Sequence, residues 1–597
     1  MRNLSRRIGM PGPRLLLLAA LSLLPLAAGA ADWAQWCGHA DRNSVSAETG
    51  LPDQFDAISG AARGASLQNV KWVARLGAGA FGSPVVANGK LYIGGKTKSE
   101  DTAMFWCFQE TDGKLLWRMR SPFWPSLVNR TWGVCSTPAV DGDRVYILSH
   151  HGEVLCLDAN GLAGRAPSLA DLELIMTDRR CANPFALAPD GRRILELTAG
   201  TPGAPEPTDA HILWRFDMLR EVNCWPYNAQ SASPLVRGDR LYVATGSTIS
   251  EYANDGCKPA IDEWKEKYGK SSYESPSLIV LDKNSGKLLA VDKEGIFDQT
   301  FHGAHASPAL GVVNGRELLF YGAGNGSCYA FDPEFAAGEA VKPGVLKRVW
   351  KFDCLAATYA PGYDGPRLKR AEVIATPVFH DNRIYVSIGN DLKNSGDKAG
   401  PGRLLCLDAT GSGDITATAK VWSFDDIRST GTTVAVADGL VYAADASGKI
   451  YCLDADTGKL YWQHDAALVW SSVMVADGKV YVAARLGLLV FAKGKEKKLM
   501  GQSKVHESMV ASPAAANGVV YVVTDKYLYA LQRGKTFTPQ ETAASPSAGP
   551  EVDVLTDALE KPPKPVWFRV GRIAVPAACV AIVVVLGAVL LKKRQSK

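Results

Sequence analysis

The chain has 597 residues, of which 47% are hydrophobic and 21% charged, with 57 Gly and 33 Pro. These proportions exclude a collagen-like chain, a disordered chain and a small disulfide scaffold. The net charge of +5 depends on eight basic residues that lie within the first 14 and the last six positions, and the remaining body holds 58 basic against 61 acidic residues. We therefore expect no nucleic-acid partner.

The N-terminus has the features of a secretory signal peptide. Two arginines precede an apolar run from Leu15 to Ala28, which ends in the small residues Ala28-Gly29-Ala30. This order of charged, apolar and small residues predicts a signal peptide over residues 1–30, cleaved after Ala30. We therefore expect the mature protein to be exported.

One sequence unit recurs through residues 67–534. It consists of Ser/Thr-Pro, a short apolar strand, a turn with Gly, a strand with Tyr, then Leu-Asp and Gly-Lys, and its clearest copy runs from Thr432 to Trp462. The β-branched and aromatic strands around Asn-Gly or Asp-Gly turns predict hairpins. Eight copies of a four-stranded unit predict an all-β protein, an eight-bladed β-propeller. The copies open at Ser83, Thr137, Ser233, Ser307, Thr376, Thr432, Ser472 and Ser512.

The last unit lacks a fourth strand, because it stops after Tyr529-Ala530-Leu531-Gln532. A strand of the missing kind, Asn69 to Val73, lies upstream of the first unit. We expect this N-terminal strand to complete the last blade, since ring closure removes two open sheet edges. The N-terminal segment, residues 31–66, precedes the ring, and we expect its Trp33 and Trp36 to lie outside it.

The end of the unit carries a motif. Residues Cys452 to Trp462 read CLDADTGKLYW, which resembles the tryptophan-docking motif of quinoprotein-type propellers, Ala-x-Asp-x-x-x-Gly-x-x-x-Trp. Ala290 replaces the tryptophan in the third unit, and residues 490–499 of the seventh keep little of the motif. The resemblance covers residues 67–534 and is closest to pyrroloquinoline-quinone-like repeat proteins, which include the outer-membrane barrel-assembly propeller. It implies that indoles pack between adjacent blades, namely those of Trp72, Trp117, Trp214, Trp350, Trp422 and Trp462.

A candidate ligand site lies at one face of the predicted channel. The innermost strands of a propeller all begin at the same face, so residues just before each Ser/Thr-Pro should converge there. Aromatic, basic and acidic groups together could bind a polar ligand, and a water-filled vestibule is the alternative. His302 and His305 favour hydrogen bonding over zinc, because no third ligand is evident. The predicted channel-mouth residues are Trp132, Gln230, His302, Glu372, Arg428, Trp470 and Glu507.

We predict no catalytic residue and no metal site. The sequence has no Gly-x-Ser-x-Gly elbow, P-loop or His-Glu-x-x-His. The resemblance implies an adjacent Cys-Cys pair in alcohol-oxidising quinoproteins, and no such pair occurs, nor does a Cys-x-x-Cys-His haem site. We expect a non-catalytic binding or assembly scaffold with protein partners in the cell envelope and no cofactor. The alternative is a membrane-bound oxidoreductase that uses pyrroloquinoline quinone with calcium.

The 12 cysteines divide into three groups. Cys107, Cys156, Cys328, Cys406 and Cys452 lie at or near the small-residue position of the motif, so we expect buried, inert thiols. Cys579 falls in an apolar run near the C-terminus. The pairing of the others stays open in an exported protein; they are Cys37, Cys135, Cys181, Cys224, Cys257 and Cys354.

The C-terminus has the features of a membrane anchor. Residues 535–572 are rich in Pro, Ala, Ser and acids and predict a flexible stalk. Residues 573–591 carry no charge over 19 positions, which is long enough for one transmembrane helix. The basic residues 592–597 should stay on the cytoplasmic side. We therefore expect a single-pass protein of the cell membrane with its propeller on the exported side.

Overall fold

The structure is a computed structural model that describes residues 31–58, 65–77, 79–97, 102–122, 133–165, 208–224, 231–247, 275–300, 305–335, 343–355, 371–389, 401–466, 468–539, 567–570 and 573–576. Residues up to Thr538 belong to one unit and those from Pro539 to a second. The first unit holds eight sheets, each with four main antiparallel strands. The prediction of an all-β, eight-bladed propeller is confirmed.

The first four blades follow the chain in order from the innermost to the outermost strand. Blade 1 has strands Val85–Ala87, Lys90–Lys96, Thr102–Gln109 and Leu115–Pro122. Blade 2 has Ala139–Asp141, Arg144–Leu148, Glu153–Asp158 and Ile212–Asp217. Blade 3 has Leu235–Arg237, Arg240–Ala244, Leu278–Asp282, Leu288–Val291 and an added Gly344–Val345. Blade 4 has Ala309–Val313, Arg316–Gly322, Ser327–Asp332, Lys347–Asp353 and an added Gly413–Asp414.

Blades 5 to 8 repeat this arrangement. Blade 5 has strands Val378–His380, Arg383–Gly389, Gly402–Asp408 and Lys420–Phe424. Blade 6 has Ala435–Ala437, Leu440–Ala444, Lys449–Asp454 and Leu460–Asp465. Blade 7 has Met474–Ala476, Lys479–Ala484, Gly487–Ala492 and Leu499–Lys504, and Val45–Ser46 pairs with its innermost strand. Blade 8 has Ala514–Ala516, Val519–Val523, Tyr527–Phe537 and, from the N-terminus, Leu67–Arg75.

The N-terminal strand closes the ring. Leu67–Arg75 runs antiparallel to Tyr527–Phe537, with Trp72 opposite Ala530. The prediction of closure is confirmed, and the strand extends two residues beyond each end of the predicted stretch 69–73. Phe537 is still part of the propeller strand, so residues 535–537, which were predicted to start the stalk, belong to blade 8.

The Ser/Thr residue that opens each unit joins neighbouring blades. In seven of the eight units, its backbone N–H donates to the side-chain oxygen of the equivalent residue in the next blade, over 2.7–3.2 Å. In blade 6 this position is Thr433, one residue after the Thr432 expected from the sequence. We call the set the hydroxyl ring; it leads through Thr433, Ser472, Ser512, Ser83, Thr137, Ser233, Ser307 and Thr376.

Six indoles pack across to the following blade. Trp72 of blade 8 donates its Nε1–H to the carbonyl of Glu110 in blade 1, at 2.9 Å. Its ring lies on Gly113, where an added Cβ would be 2.6 Å from the indole and where φ is +73°. Only glycine meets both conditions. The same bond links Trp117, Trp214, Trp350, Trp422 and Trp462 to carbonyls of Ala159, Lys283, Ala409, Ala455 and Gly494.

The interface between blades 7 and 8 has no docking tryptophan. Gly501 pairs with Val490 at the register where tryptophan stands in other blades. The N-terminal segment fills this space, since a Cβ on Gly501 would lie 1.9 Å from the Asp53 carbonyl oxygen. The Tyr481 hydroxyl donates to the carbonyl of Pro52 at 3.0 Å. The N-terminal segment thus replaces an indole.

The second unit contains one described hairpin. Trp567–Val570 pairs antiparallel with Ile573–Pro576. The predicted transmembrane helix therefore does not begin at Ile573, and its remaining residues 577–591 lie outside the described part, as does the predicted signal peptide, residues 1–30. Among the described residues, no helix has the length and apolar character needed to span a membrane.

Ring closure predicts graded losses of stability at Trp72. Trp72→Ala should cost about 3–5 kcal/mol because it removes a buried ring. Trp72→Phe keeps most of the packing and loses the bond to Glu110, so it should cost only about 1 kcal/mol. Val421→Ala, at an exposed strand position, serves as the control. Urea unfolding midpoints measure all three, and an unchanged midpoint for Trp72→Ala would contradict the closure.

Candidate functional site

The two ends of the central channel differ. The innermost strands begin at one end, after the hydroxyl ring, and finish at the first turn of each blade, as at Asn88-Gly89. We call these the mouth end and the turn end. In each blade the third strand runs from the mouth end to the turn end and the fourth strand runs back. The turns between these two strands therefore also lie at the turn end.

The N-terminal segment crosses the turn end. Its residues 33–46, called here the channel plug, bond to the innermost strands of seven blades, each time three residues after the hydroxyl-ring position. Trp33 was expected outside the ring, but it is buried and exchanges two backbone hydrogen bonds with Val86. That prediction is wrong for Trp33. The bonded strand residues are Val86, Val140, Leu310, Phe379, Val436, Val475 and Ala515.

Arg42 anchors the channel plug. Its fully buried guanidinium donates to the carbonyls of Pro308 at 2.8 Å, Trp36 at 2.9 Å and Pro234 at 3.1 Å. Burial lowers the pKa of Arg42 to about 10, partly opposed by Cys37 and other nearby groups, so it stays cationic near neutral pH. No carboxylate of the described chain lies within 4.0 Å of it. The buried positive charge is therefore stabilised by the dipoles of the three carbonyls.

Three of the predicted mouth residues, Trp132, Gln230 and His302, lie outside the described residues. Glu372 is buried and its backbone pairs with Gly389. Arg428 has an exposed side chain, and its backbone N–H donates to the Asp445 carboxylate at 2.9 Å.

Trp470 and Glu507 are predicted mouth residues that each have a buried polar atom without a hydrogen-bond partner in the described part of the chain. Trp470 Nε1 and Glu507 Oε2 are inaccessible to solvent and make no hydrogen bond within the described part of the chain. No hydrogen bond or ion pair joins Arg428, Trp470 and Glu507 to one another in that part. Buried polar atoms nearly always have a partner in a native protein, so these two atoms are available to a bound molecule or water.

Residues two positions before the hydroxyl ring do meet around the mouth. Ser231 of blade 3 and His305 of blade 4 occupy this position, and Ser231 Oγ lies 2.8 Å from His305 Nδ1. This contact agrees with the convergence expected from the repeats. It also gives His305 a hydrogen-bonding role.

Sequence reasoning missed a charged group around Glu507. Burial raises the pKa of Asp525, the N–H of Ser508 and the charges of Lys96 and Arg485 lower it, and Glu507 raises it. The charged residues of this group come from blades 1, 7 and 8, and their sequence positions share no motif. Only the closed ring, which places blade 8 beside blade 1, brings them to one side of the mouth.

A calcium-bound quinone would require a group of oxygen ligands. Calcium takes six to eight oxygen ligands, whereas no group of three His, Cys, Asp or Glu side chains in the described part could hold a metal ion. Among the predicted mouth residues that the structure describes, the carboxylates are those of Glu372 and Glu507.

All nine described cysteines are buried, and no disulfide joins any two of them. Burial raises the pKa of Cys107 to about 12, and the same cause raises that of Cys37 to about 12. A thiolate is therefore disfavoured, which makes these thiols poor nucleophiles. Of the six whose pairing stayed open, Cys181 and Cys257 lie outside the described residues, and no disulfide joins any two of Cys37, Cys135, Cys224 and Cys354.

A buried carboxylate lies at the mouth end of blade 3. Asp292 Oδ2 accepts from the N–H groups of Ser277 and Leu278 at 2.7 and 2.6 Å. Burial raises the pKa of Asp292 to about 6, although hydrogen bonds from Leu278, Glu294 and Ser277 oppose the shift. This blade therefore carries a pH-dependent contribution to stability.

The eight blades, hydroxyl ring and docked indoles define an eight-bladed repeat propeller. Residues 62–161 and 402–491 match the family model described as outer membrane protein assembly factor BamB. The resemblance to pyrroloquinoline-quinone-like repeat propellers is confirmed, and in these two stretches the chain is similar to BamB. No curated protein matches the chain.

The solved structures to which the chain is similar share little sequence with it. BamB from Moraxella catarrhalis is 12% identical with a TM-score of 0.42, covering 77% of this chain and 97% of its own. A europium-containing methanol dehydrogenase is 11% identical with a TM-score of 0.48, covering 82% and 89%. Quinohemoprotein alcohol dehydrogenase from Comamonas testosteroni is 12% identical with a TM-score of 0.36, covering 86% and 82%.

Loss of the plug's anchor should destabilise the propeller. Arg42→Ala leaves buried carbonyls of two blades without a donor, which should cost roughly 2–5 kcal/mol. Arg237→Ala, which removes an exposed ion pair with Glu317, should cost under about 1 kcal/mol. Equal urea midpoints for the two variants would show that the plug contributes little to the folded ring.

Asp292 predicts stability that falls as pH rises. Its folded pKa of about 6 exceeds the ordinary 3.8, so its contribution is complete below about pH 4 and is lost as pH rises through about 6. Relative to Asp292→Asn, the wild type should lose roughly 1–3 kcal/mol between these pH values. Urea unfolding at several pH values measures the difference.

Asp282 provides a control of opposite sign. Burial raises its pKa, but the hydrogen bonds from Ser285 and Asn284 and the charge of Arg144 together outweigh that effect and lower it. Compared with Asp282→Asn, the wild type should lose stability as pH falls through the folded pKa. If both substitutions gave the same pH trend, the raised pKa of Asp292 and the lowered pKa of Asp282 could not both be right.

Proposed function

We propose that the protein is an exported, membrane-anchored propeller that serves as a non-catalytic binding or assembly scaffold in the cell envelope. The observation that carries this proposal is a closed, rigid ring with one end of its channel occupied by the protein's own plug. The opposite end has two buried polar atoms without partners, on Trp470 and Glu507. A ligand or partner segment would therefore be received at the mouth end.

The compartment follows from the sequence. The signal peptide predicted over residues 1–30 would export the propeller, and the helix predicted within 573–591 would hold it at the membrane. The nine described cysteines are buried with no disulfide among them, which agrees with a fold whose stability comes from packing and hydrogen bonds. The match to the BamB model supports a role in the envelope.

The second candidate is a quinone-dependent oxidoreductase. Its support is the tryptophan-docking motif, which the resemblance links to quinoprotein dehydrogenases. The sequence lacks the adjacent Cys-Cys pair that the resemblance associates with alcohol-oxidising quinoproteins, and we therefore propose the scaffold function first. Full-length protein mixed with pyrroloquinoline quinone and calcium, then assayed for dye reduction over alcohols and sugars, separates the two functions.

Partner capture should depend on the mouth end. A photo-crosslinking residue at the exposed Leu486, in the mouth-end turn of blade 7, should capture envelope proteins from intact cells. The same residue at the exposed Val312, near the turn end of blade 4, is the matched control. Glu507→Gln combined with Trp470→Phe should reduce capture at least about tenfold if one buried polar contact is lost, with little change in melting temperature.

Two results would overturn the scaffold function. Quinone-dependent dye reduction that disappears in Glu507→Gln would identify a catalytic mouth. Equal capture from Leu486 and Val312, unaffected by the mouth substitutions, would show that partners do not use this end.

A further inference from the structure

The turn between the third and fourth strands of blade 7 is strongly basic. In the other blades this turn commonly carries an acid and Gly-Lys, whereas here residues 493–498 read KGKEKK. Residues 495–500 are all exposed. Lys493 forms an ion pair with Asp438, and the other three lysines together with Glu496 leave a net charge of +2 on residues 494–498. We call residues 493–500 the basic turn.

Three of its lysines have no anionic partner. In the described part of the chain, no carboxylate lies within 4.0 Å of Lys495, Lys497 or Lys498. Lys495 Nζ lies 4.9 Å from the ring centre of Tyr461, and Lys497 Nζ donates to the Gln463 carbonyl at 3.2 Å. These contacts hold the side chains along the turn end of blades 6 and 7 without neutralising them.

Two large apolar side chains continue the basic turn. Leu499 and Met500 are 43% and 39% exposed. Among the exposed large hydrophobic residues of the described chain, they are the one adjacent pair. Lysines beside exposed apolar side chains suit the boundary between water and an anionic bilayer, where the apolar groups enter and the ammonium groups remain at phosphate level.

The C-terminal end of the propeller leads to the same face. The third strand of every blade runs toward the turn end, and in blade 8 that strand is Tyr527–Phe537. Arg533 and Lys535 are exposed on it. The chain therefore leaves the propeller at the end that carries the basic turn.

We propose that the basic turn docks on an anionic lipid surface, so that the turn end faces the membrane and the mouth faces away from it. Each lysine near such a surface contributes about fivefold in affinity. The contact itself stands without the anchor; the anchor of the proposed function would add a high effective concentration at the membrane. Phospholipid with an anionic headgroup is the partner that matches both the charge and the apolar pair.

Hydrogen exchange of the full-length protein tests this contact. The protein is mixed with vesicles of phosphatidylcholine alone or with added phosphatidylglycerol. We expect amide exchange across residues 495–503 to slow several-fold only when phosphatidylglycerol is present, and high salt should reverse the effect because it screens the lysines. Equal exchange with both vesicles would overturn the proposal.

Paired variants identify the residues responsible. Lys497→Gln with Lys498→Gln should abolish the slowing, whereas Lys504→Gln with Lys526→Gln, at exposed mouth-end positions, removes the same charge and should retain it. Leu499→Ser with Met500→Ser should weaken it while keeping the charge. Retained slowing in the first pair, or loss in the second, would contradict the assignment.

Two further measurements distinguish a lipid partner from a protein partner, and the docking contact from the C-terminal anchor. Slowing by soluble polyglutamate but not by phosphatidylglycerol vesicles would overturn the lipid partner in favour of an acidic polypeptide. Flotation with neutral vesicles reports on the anchor independently. A protein that fails to float with neutral vesicles but is protected by anionic ones would refute the anchor and leave the docking contact standing.

Discussion

The junction between blade 8 and blade 1 is the constraint on which the rest of the structure depends. The hydroxyl ring passes through it at Ser512 and Ser83, and the docking indole of Trp72 crosses it to Glu110. A propeller left open there would expose sheet edges on both sides. Because the strand that closes blade 8 comes from the N-terminus, the first and last parts of the propeller must fold together.

Closure also decides how the channel is used. The free edges of the innermost strands present backbone N–H and carbonyl groups to the channel, and buried groups of this kind need partners. The plug enters from the turn end, and Arg42 extends from it to the carbonyls of blades 3 and 4 that directly follow the hydroxyl ring. The segment therefore stabilises several blades and leaves the mouth as the open end.

Features that recur in many units could be predicted from the sequence, whereas residues that occur in one place only could not. Strand-turn alternation and the Gly-to-Trp spacing recur in many units, so they predicted eight blades, the closing strand and the indole positions. Thr433 was displaced by one residue because blade 6 has two threonines and no proline at this point. Arg42 and the acid–base group around Asp525 occur once each, and the pattern offers no second copy for comparison.

Local sequence determined the strands, their turns and the order of the blades, because those depend on residues close together in the chain. Tertiary structure decided what fills the channel and which charges meet at the mouth. The N-terminal segment has no strand periodicity that would place it across seven blades; its path follows from unpaired strand edges that exist only after the ring has formed. Glu507 and Lys96 likewise become neighbours of Asp525 only through closure.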